Sequence, residues 1–372
     1  MILNPHTWVE INKSSLQHNL KQLKKVVGDG ILAPVIKSNA YGHGLLEVGR
    51  VCQETSQVDW VCVAALSEAL VLRNSGFTKP ILVMVYLDKD PALAIKNNID
   101  LMVYNREILK HLSVCAKKLN NICNVHIKAD TGLSRLGPSP KKTVEFTEFA
   151  KSLEGIKIRG IGTHFAQSQS QDQSFTQQQL ETFKKILKQL EDKKIKIRYQ
   201  HACNSATTLR LKQSIGNFFR PGIAAYGYWA SSHVQSDAKK ISLKPVLTWK
   251  TRIFNIKTVP AGRSIGYDRT YETKKETKLG YLPIGYGEGY RRDLANKAHV
   301  IVNQKPAPII GQIGMNVITI DLNNIPEATI GTEVILLGDA PGVRANELAK
   351  LINGNIRELT TRICPTVKRF LY

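Results

Sequence analysis

Eight short apolar runs rich in β-branched residues punctuate residues 31 to 226, and this rhythm constrains the fold more than any other feature of the chain. They fall at 31–36 (ILAPVI), 60–65 (WVCVAA), 80–86 (PILVMVY), 99–104 (IDLMVY), 122–129 (ICNVHIKA), 156–163 (IKIRGIGT), 195–203 (IKIRYQHAC) and 218–226 (FFRPGIAAY). Between most of them lie helix-compatible stretches such as LSEALVLRNSG (66–76), whose final glycine suits a helix C-cap. Before the first run, Leu16, Leu20, Leu23 and Val27 recur at helical spacing behind Asn12 and Ser14, which predicts an opening amphipathic helix. Strands alternating with helices eight times give the pattern of a (β/α)8 TIM barrel.

Enzymes of this fold collect their chemistry at the C-terminal ends of the strands, and those ends are polar here. They carry Lys37 with Asn39 and Tyr41, Lys128 with Asp130 and Arg135, His164, His201 with Asn204 and Ser205, and Arg220. A purely structural scaffold has no need of such residues at five ends. The stretch VIKSNAYGHG (35–44) poses the question most sharply: its lysine is either a solvated strand end or a nucleophile aimed into a cleft, and those ten residues leave both open.

From about residue 240 the texture changes to alternating β-branched segments separated by turns: VLTWKTRIFNIKTV, KLGYLPIGY, AHVIVNQKPAPIIGQI, MNVITIDL and EVILLG. This predicts an all-β domain with one short helix near Val343–Ile352. The reading is therefore α/β plus all-β: a barrel over 1–237 and a C-terminal β-domain over 238–372, with Ser231–Ser242 as the linker.

The chain has 52 Lys and Arg against 30 Asp and Glu, a net charge of +22, which raises the question of an anionic macromolecular partner. The basic residues are scattered, however. Their densest cluster, Lys184–Arg198, has Ile186, Leu187 and Leu190 at helical spacing with acids interspersed, and reads as the solvated face of an amphipathic helix. No nucleic-acid motif accompanies it, so no nucleic-acid partner is expected. No stretch approaches the roughly 18 uninterrupted apolar residues of a membrane span, and the N-terminus has no secretory pattern. Six cysteines with no CxxC pair or metal-ligand spacing look like reduced core residues. A cytoplasmic protein without a metal site or membrane partner is expected.

Nine separated strings now carry a family resemblance: TWVEIN, VIKSNAYGHG, KADTGLSRLG, GTHFA, HACNSA, RPGIAAYG, SIGYDRTY, LPIGYGEGYRR and IGQIGMN. In this order, and over essentially the full length, the chain resembles the alanine racemases, fold-type III enzymes dependent on pyridoxal 5'-phosphate. The resemblance implies a cofactor-holding barrel, a β-domain, a small amino-acid substrate and a head-to-tail homodimer with shared active sites. It also implies interconversion of L- and D-alanine, supplying D-alanine for peptidoglycan.

By the same resemblance Lys37 holds the cofactor through its amine, a group that must be unprotonated to act and that burial favours in that state. Tyr41, Asn204, Ser205 and the backbone amides of Gly222 and Ile223 match the residues around the cofactor phosphate. Arg220 faces the pyridine nitrogen; a guanidinium cannot accept a proton, which weakens the ring as an electron sink. His164 packs near the ring. Racemisation needs two bases on opposite faces of Cα, and the resemblance assigns Lys37 to the D-enantiomer and Tyr267, from a partner subunit, to the L-enantiomer. Tyr271 and Tyr286 are nearby alternatives. Arg135 and the Met315 N–H match the substrate-carboxylate contacts, and Lys128 matches a lysine that is carbamylated in some members.

Two departures stand out. Where the family usually reads G-R-V-x-M-D, this chain has GQIGMN, so Gln312 and Asn316 replace an arginine and an aspartate, and the charged support around Met315 is expected to be lost. Pro365 stands where some relatives place a phosphate-binding tyrosine. A racemase accepting serine or another small amino acid is one alternative. A fold-type III decarboxylase is another, but its glycine-triplet loop and cysteine motif are absent from the sequence. A non-catalytic cofactor-carrying protein would resemble the barrel alone.

Overall fold

A computed structural model of the chain describes residues 6–210 and 216–372. It divides into two compact units: Ser14–Ser38 with Val48–Lys244, and Met1–Lys13 with Asn39–Glu47 and Pro245–Tyr372.

The first strand, β1 (Thr7–Ile11), belongs to the second unit. The barrel strands follow as β2 (Ile31–Leu32), β3 (Val61–Ala65), β4 (Ile81–Tyr86), β5 (Asp100–Val103), β6 (Cys123–Lys128), β7 (Ile156–Gly162), β8 (Tyr199–His201) and β9 (Phe218–Phe219). β3 to β8 form one parallel sheet in sequence order, and β2 pairs in parallel with β9. The ring closes on both sides of that pair. The Ile36 N–H donates to the Cys62 carbonyl at 2.8 Å and the Cys62 N–H to Pro34 at 3.0 Å, while the Arg220 N–H donates to Cys203 at 3.0 Å. All eight predicted strands are present. Strand residues such as Val61, Val63, Ile81, Val125, Ile127 and Ile161 are fully or almost fully buried, and Leu16, Leu20 and Leu23 of the helix Lys13–Val27 are completely so. Each such leucine contributes roughly 1.5–3 kcal/mol relative to exposure.

The helix over 66–76 forms as Leu66–Asn74, and Gly76 follows it at φ +86°, a conformation glycine adopts without a Cβ penalty. The basic cluster near 184–198 splits: the helix Ser174–Asp192 carries the Lys184–Glu181 and Lys188–Asp192 pairs on its solvated face, and the remainder leads into β8. The expected linker is more ordered than its composition suggests. Ser231 caps the helix Ser232–Asp237 by accepting the Val234 N–H, Val234 is buried, and Asp237 pairs with Arg210 at 2.7 Å.

The second unit holds β10 (Leu247–Arg252), β11 (Asn255–Val259), β12 (Thr277–Leu282), β13 (His299–Val302), β14 (Lys305–Pro308), β15 (Ile318–Asp321), β16 (Glu333–Leu337) and β17 (Lys368–Leu371). One sheet runs β14-β13-β16-β10-β1-β17, and a second runs β11-β12-β15. Here β1 pairs antiparallel with β10 and parallel with β17. Neither β1 nor β17 stands out by local pattern, because each is a lone segment whose partners are distant in sequence. The short helix near the C-terminus forms at Ala345–Leu351.

Candidate active site

In the barrel unit the polar strand ends form two groups. The first is cationic. Lys128, the last residue of β6, is only 6% exposed, and burial, then the charges of Arg220 and Arg135, bring its amine down to about 7. Arg135 lies on the following loop, which Asp130 holds by accepting the N–H groups of Gly132, Leu133 and Ser134 at 2.9 to 3.1 Å. His164, just past β7, is held well below its ordinary value first by burial and then by Lys128, Arg220, Arg135 and Lys37. Lys128, Arg220, Arg135 and Lys37 therefore all bear on one imidazole. Asp130 is the carboxylate that acts on Lys128, but one of its oxygens is already taken by three backbone donors, so the cluster is suited to an anionic guest.

The second group is a cradle after β8 and β9. The Ser205 hydroxyl accepts the N–H of Gly222 at 2.9 Å and of Ala224 at 3.3 Å. A hydroxyl whose lone pairs are both used keeps its own proton to donate, as a phosphate oxygen requires. Ile223 opens the 3-10 turn Ile223–Tyr226 beside it. Asn204 plays a different part from Ser205. Its side chain accepts the N–H of Ala206 and Thr207 and donates to Ser168 at 2.9 Å, fixing the turn that presents Ser205.

Arg220 is buried; it donates to Nδ1 of His201 and, at 2.8 Å, to the Thr163 carbonyl. An arginine stays protonated in such surroundings, and His201 is held well below its ordinary value by burial and then by the Arg220 charge. Lys37 follows the β2 end. The backbone beyond it is left-handed over Ser38, Asn39, Ala40 and Tyr41, with φ between 51° and 55°. For non-glycine residues this costs about 1–2 kcal/mol each, so the surroundings must hold it. The Ser38 N–H is taken by Glu68 at 2.6 Å, and Glu68 also accepts from Ala64 and Ala65 at the end of β3.

Sequence reasoning missed Glu68, although its position three residues beyond Ala65 is the spacing of a capping box. It also missed Gln179. That side chain accepts the Ala166 N–H at 2.9 Å and donates to Thr131 and to the His164 carbonyl, pinning two strand ends from the helix Ser174–Asp192. No local signal distinguishes Gln179 from its neighbours QQQL.

In the other unit Tyr41 ends the left-handed turn. The segment is held by Arg369 of β17, which donates to the Gly42 carbonyl at 3.1 and 3.3 Å. Gly42 has φ +85°, and a Cβ there would meet the Thr360 carbonyl oxygen at 1.8 Å. Tyr267 stands 72% exposed on the turn after Gly266, whereas Tyr271 packs against the cluster of Val259, Ile265, Leu279 and Ile310. The two alternatives thus differ: Tyr271 is a partly buried ring against that cluster, and Tyr286 is exposed. Gly266 lies against the Gln312 backbone and Gly311 against the Ile265 carbonyl, so the strings SIGYDRTY and IGQIGMN are neighbours. Met315 is exposed, and its carbonyl accepts the Gly287 N–H at 2.8 Å.

The expected loss of charged support at Asn316 is corrected here. Its amide donates to the Glu288 carboxylate at 2.7 Å, and the same carboxylate accepts the Gly285 N–H. A negative charge is retained, supplied from the LPIGYGEGYRR string. Among the described residues no group of three or more His, Cys, Asp or Glu is placed to hold a metal, and no helix is long and apolar enough to cross a membrane.

A closed parallel barrel with a lysine and a cationic cluster at its strand ends, joined to an antiparallel β-domain, defines a two-domain barrel enzyme class. Family models for the alanine racemase N-terminal and C-terminal domains match residues 11–230 and 246–371. The chain is 39% identical to an alanine racemase of Halothermothrix orenii over 90% of this chain and 87% of that one. It is 36% identical to one of Clostridium tetani over 97% and 94%. A solved alanine racemase of Clostridium difficile 630 superposes with a TM-score of 0.93 at 31% identity, covering 100% of this chain and 96% of that one. The chain belongs to the alanine racemase family, an isomerase family dependent on pyridoxal phosphate.

Proposed function

We propose that this protein interconverts L- and D-alanine with pyridoxal 5'-phosphate held on Lys37, using two bases. The observation that carries the reading is the cradle in which the Ser205 hydroxyl, accepting the Gly222 and Ala224 N–H groups, keeps a proton for a phosphate oxygen, in the barrel unit that also buries Lys128 and Arg220. When bound, the cofactor supplies an electron sink that acidifies the α-proton of an attached amino acid.

The chain's own groups divide the rest of the work. The Lys37 amine would take or return the α-proton on one face and serve the D-enantiomer. The partner subunit's Tyr267 does so on the other face and serves the L-enantiomer. Its large exposure in a single chain fits a residue covered by a second copy, and the homodimer belongs to the proposal. Arg135 and the Met315 N–H bind the substrate carboxylate, a charge-assisted contact suited to the guanidinium fork. Tyr41, the Ser205 hydroxyl proton and the Ile223 N–H hold the phosphate, with Gly222 acting through the N–H it gives to Ser205 and Asn204 through the turn it caps. Arg220 would offer its permanent cation to the ring nitrogen, and His164 would pack beside the ring.

Lys128 carries a carbamate in this reading. An amine brought down to about 7 is unprotonated often enough near neutrality to add carbon dioxide, and the anion formed pairs with Arg135. An intact mass without the added carboxylate at high bicarbonate would sink that part. Cytoplasmic D-alanine for peptidoglycan is the proposed use. The test is a chirality assay on the purified protein with a panel of L-amino acids, with and without added cofactor; alanine is expected to be the preferred substrate. A Tyr267→Phe variant should lose α-proton exchange from L-alanine more than from D-alanine, and equal loss contradicts the division of labour.

A further inference from the structure

Below Arg220 the barrel interior contains a chain of buried polar groups that the reaction as described leaves unused. Asp100, the first residue of β5, is 1% exposed; His126 of β6 and His201 of β8 are completely buried. Arg159 donates to Oδ1 of Asp100 at 2.9 Å. Oδ2 of Asp100 lies 3.1 Å from Nε2 of His126, Nδ1 of His126 lies 2.9 Å from Nε2 of His201, and Nδ1 of His201 faces Arg220.

The two ends of this chain dictate every proton in it. A guanidinium only donates, so Nδ1 of His201 must be bare and its proton must sit on Nε2. That proton can only be given to Nδ1 of His126, which must also be bare, and His126 in turn donates from Nε2 to Asp100, a carboxylate that accepts. A second proton on either imidazole would set two donors face to face. The direction of both histidine shifts, below the ordinary value chiefly through burial, agrees with neutral rings. Strand β7 is shaped around them: a Cβ on Gly160 would come within 2.4 Å of Nδ1 of His126, and one on Gly162 within 2.3 Å of Nδ1 of His201. Tyr199 stacks on His126 at 5.7 Å between ring centres, and Trp60 lies over the Arg159 guanidinium. The relay is thus sheathed by aromatic rings where an unmatched donor would be costly.

We propose that Asp100, anchored by Arg159, is a positioning residue for the reaction: through His126 and His201 it fixes the lone pair that holds Arg220 in place. Its effect on turnover rests on the reading that Arg220 faces the cofactor ring; the proton arrangement does not. In Asp100→Asn, Arg159 claims the amide oxygen and the NH2 group turns to His126. Both histidines must then reverse their tautomers, which leaves His201 pointing a proton at Arg220. Adding Arg159→Met removes the competing donor and lets the amide oxygen face His126 again.

The experiment is long-range proton–nitrogen correlation on the 15N-histidine-labelled, cofactor-loaded protein, run beside steady-state kinetics. In the wild type both histidines should carry their proton on Nε2. Asp100→Asn should reverse or scramble both and lower kcat about ten-fold with little change in KM, the pattern of a lost transition-state interaction. The double variant should recover the tautomers and most of kcat, whereas a merely structural role makes it worse than either single change. A wild-type His201 with its proton on Nδ1, or a double variant no better than Asp100→Asn, overturns the proposal. If the tautomers behave as stated but alanine is not racemised, the relay stands and the proposed function falls.

Discussion

Replacing Lys128 with methionine should stabilise the barrel unit, although it removes a residue proposed for the reaction centre. In the fold the amine is brought from 10.5 down to about 7, first by burial and then by Arg220 and Arg135, with Asp130 opposing. A lysine whose folded affinity for protons is reduced binds more protons when unfolded, so stability rises with pH between the two values. Each factor of ten in affinity is about 1.4 kcal/mol, so the buried, uncarbamylated ammonium costs roughly 5 kcal/mol at most, fully present below about pH 7. The cost shrinks to about 1 kcal/mol near pH 9.5 and vanishes above the unfolded value. Methionine has similar volume and no charge. Urea unfolding of cofactor-free protein in carbon dioxide-free buffer should show Lys128→Met well above the wild type near pH 6, with the gap closing as pH rises. Equal or lower stability of the variant near pH 6, or a gap that widens with pH, refutes the reasoning.

Two further expectations follow from packing. Gly162→Ala would place a Cβ 2.3 Å from Cε1 and Nδ1 of His201, whose ring is confined by Phe218 and Arg220; overpacking of this kind costs about 1–3 kcal/mol, readable as a lower thermal midpoint together with reduced kcat. Arg369→Met would remove the donors to the Gly42, Ile363 and Cys364 carbonyls. Carbonyls left without partners cost about 1–3 kcal/mol each when buried, so the left-handed turn should loosen, shown by faster proteolysis over 38–47 and a weaker hold on the cofactor.

The eight barrel strands were legible because each is an apolar run bounded by polar residues, and their closure follows from the fold class. What the sequence hides is pairing across long separations. Thr7–Ile11 carries no strand signal of its own, yet it is an interior strand of a sheet whose neighbours are Leu247–Arg252 and Lys368–Leu371. Residues 39–47 sit between two barrel elements in sequence but pack in the unit of the β-domain, because Arg369 and the space at Gly42 hold them there. At the candidate site, the residues proposed from distinctive strings are those the motifs single out. Glu68, Gln179, Glu288 and Asp100 are not among them, since each acts through a partner brought close only by the fold. Asn316 shows the same limit from the other side: read by itself it loses a charge, whereas beside Glu288 it keeps one.

The central claim is that Lys37 and Tyr267 serve opposite faces of one alanine. The most direct measurement follows solvent deuterium entering Cα from each enantiomer with purified cofactor-loaded protein, for the wild type and Tyr267→Phe. The account predicts label in both enantiomers for the wild type, with D-alanine forming from L-alanine, and label chiefly from D-alanine for the variant. Failure of the wild type to form D-alanine, or unchanged exchange from L-alanine without the Tyr267 hydroxyl, would contradict it.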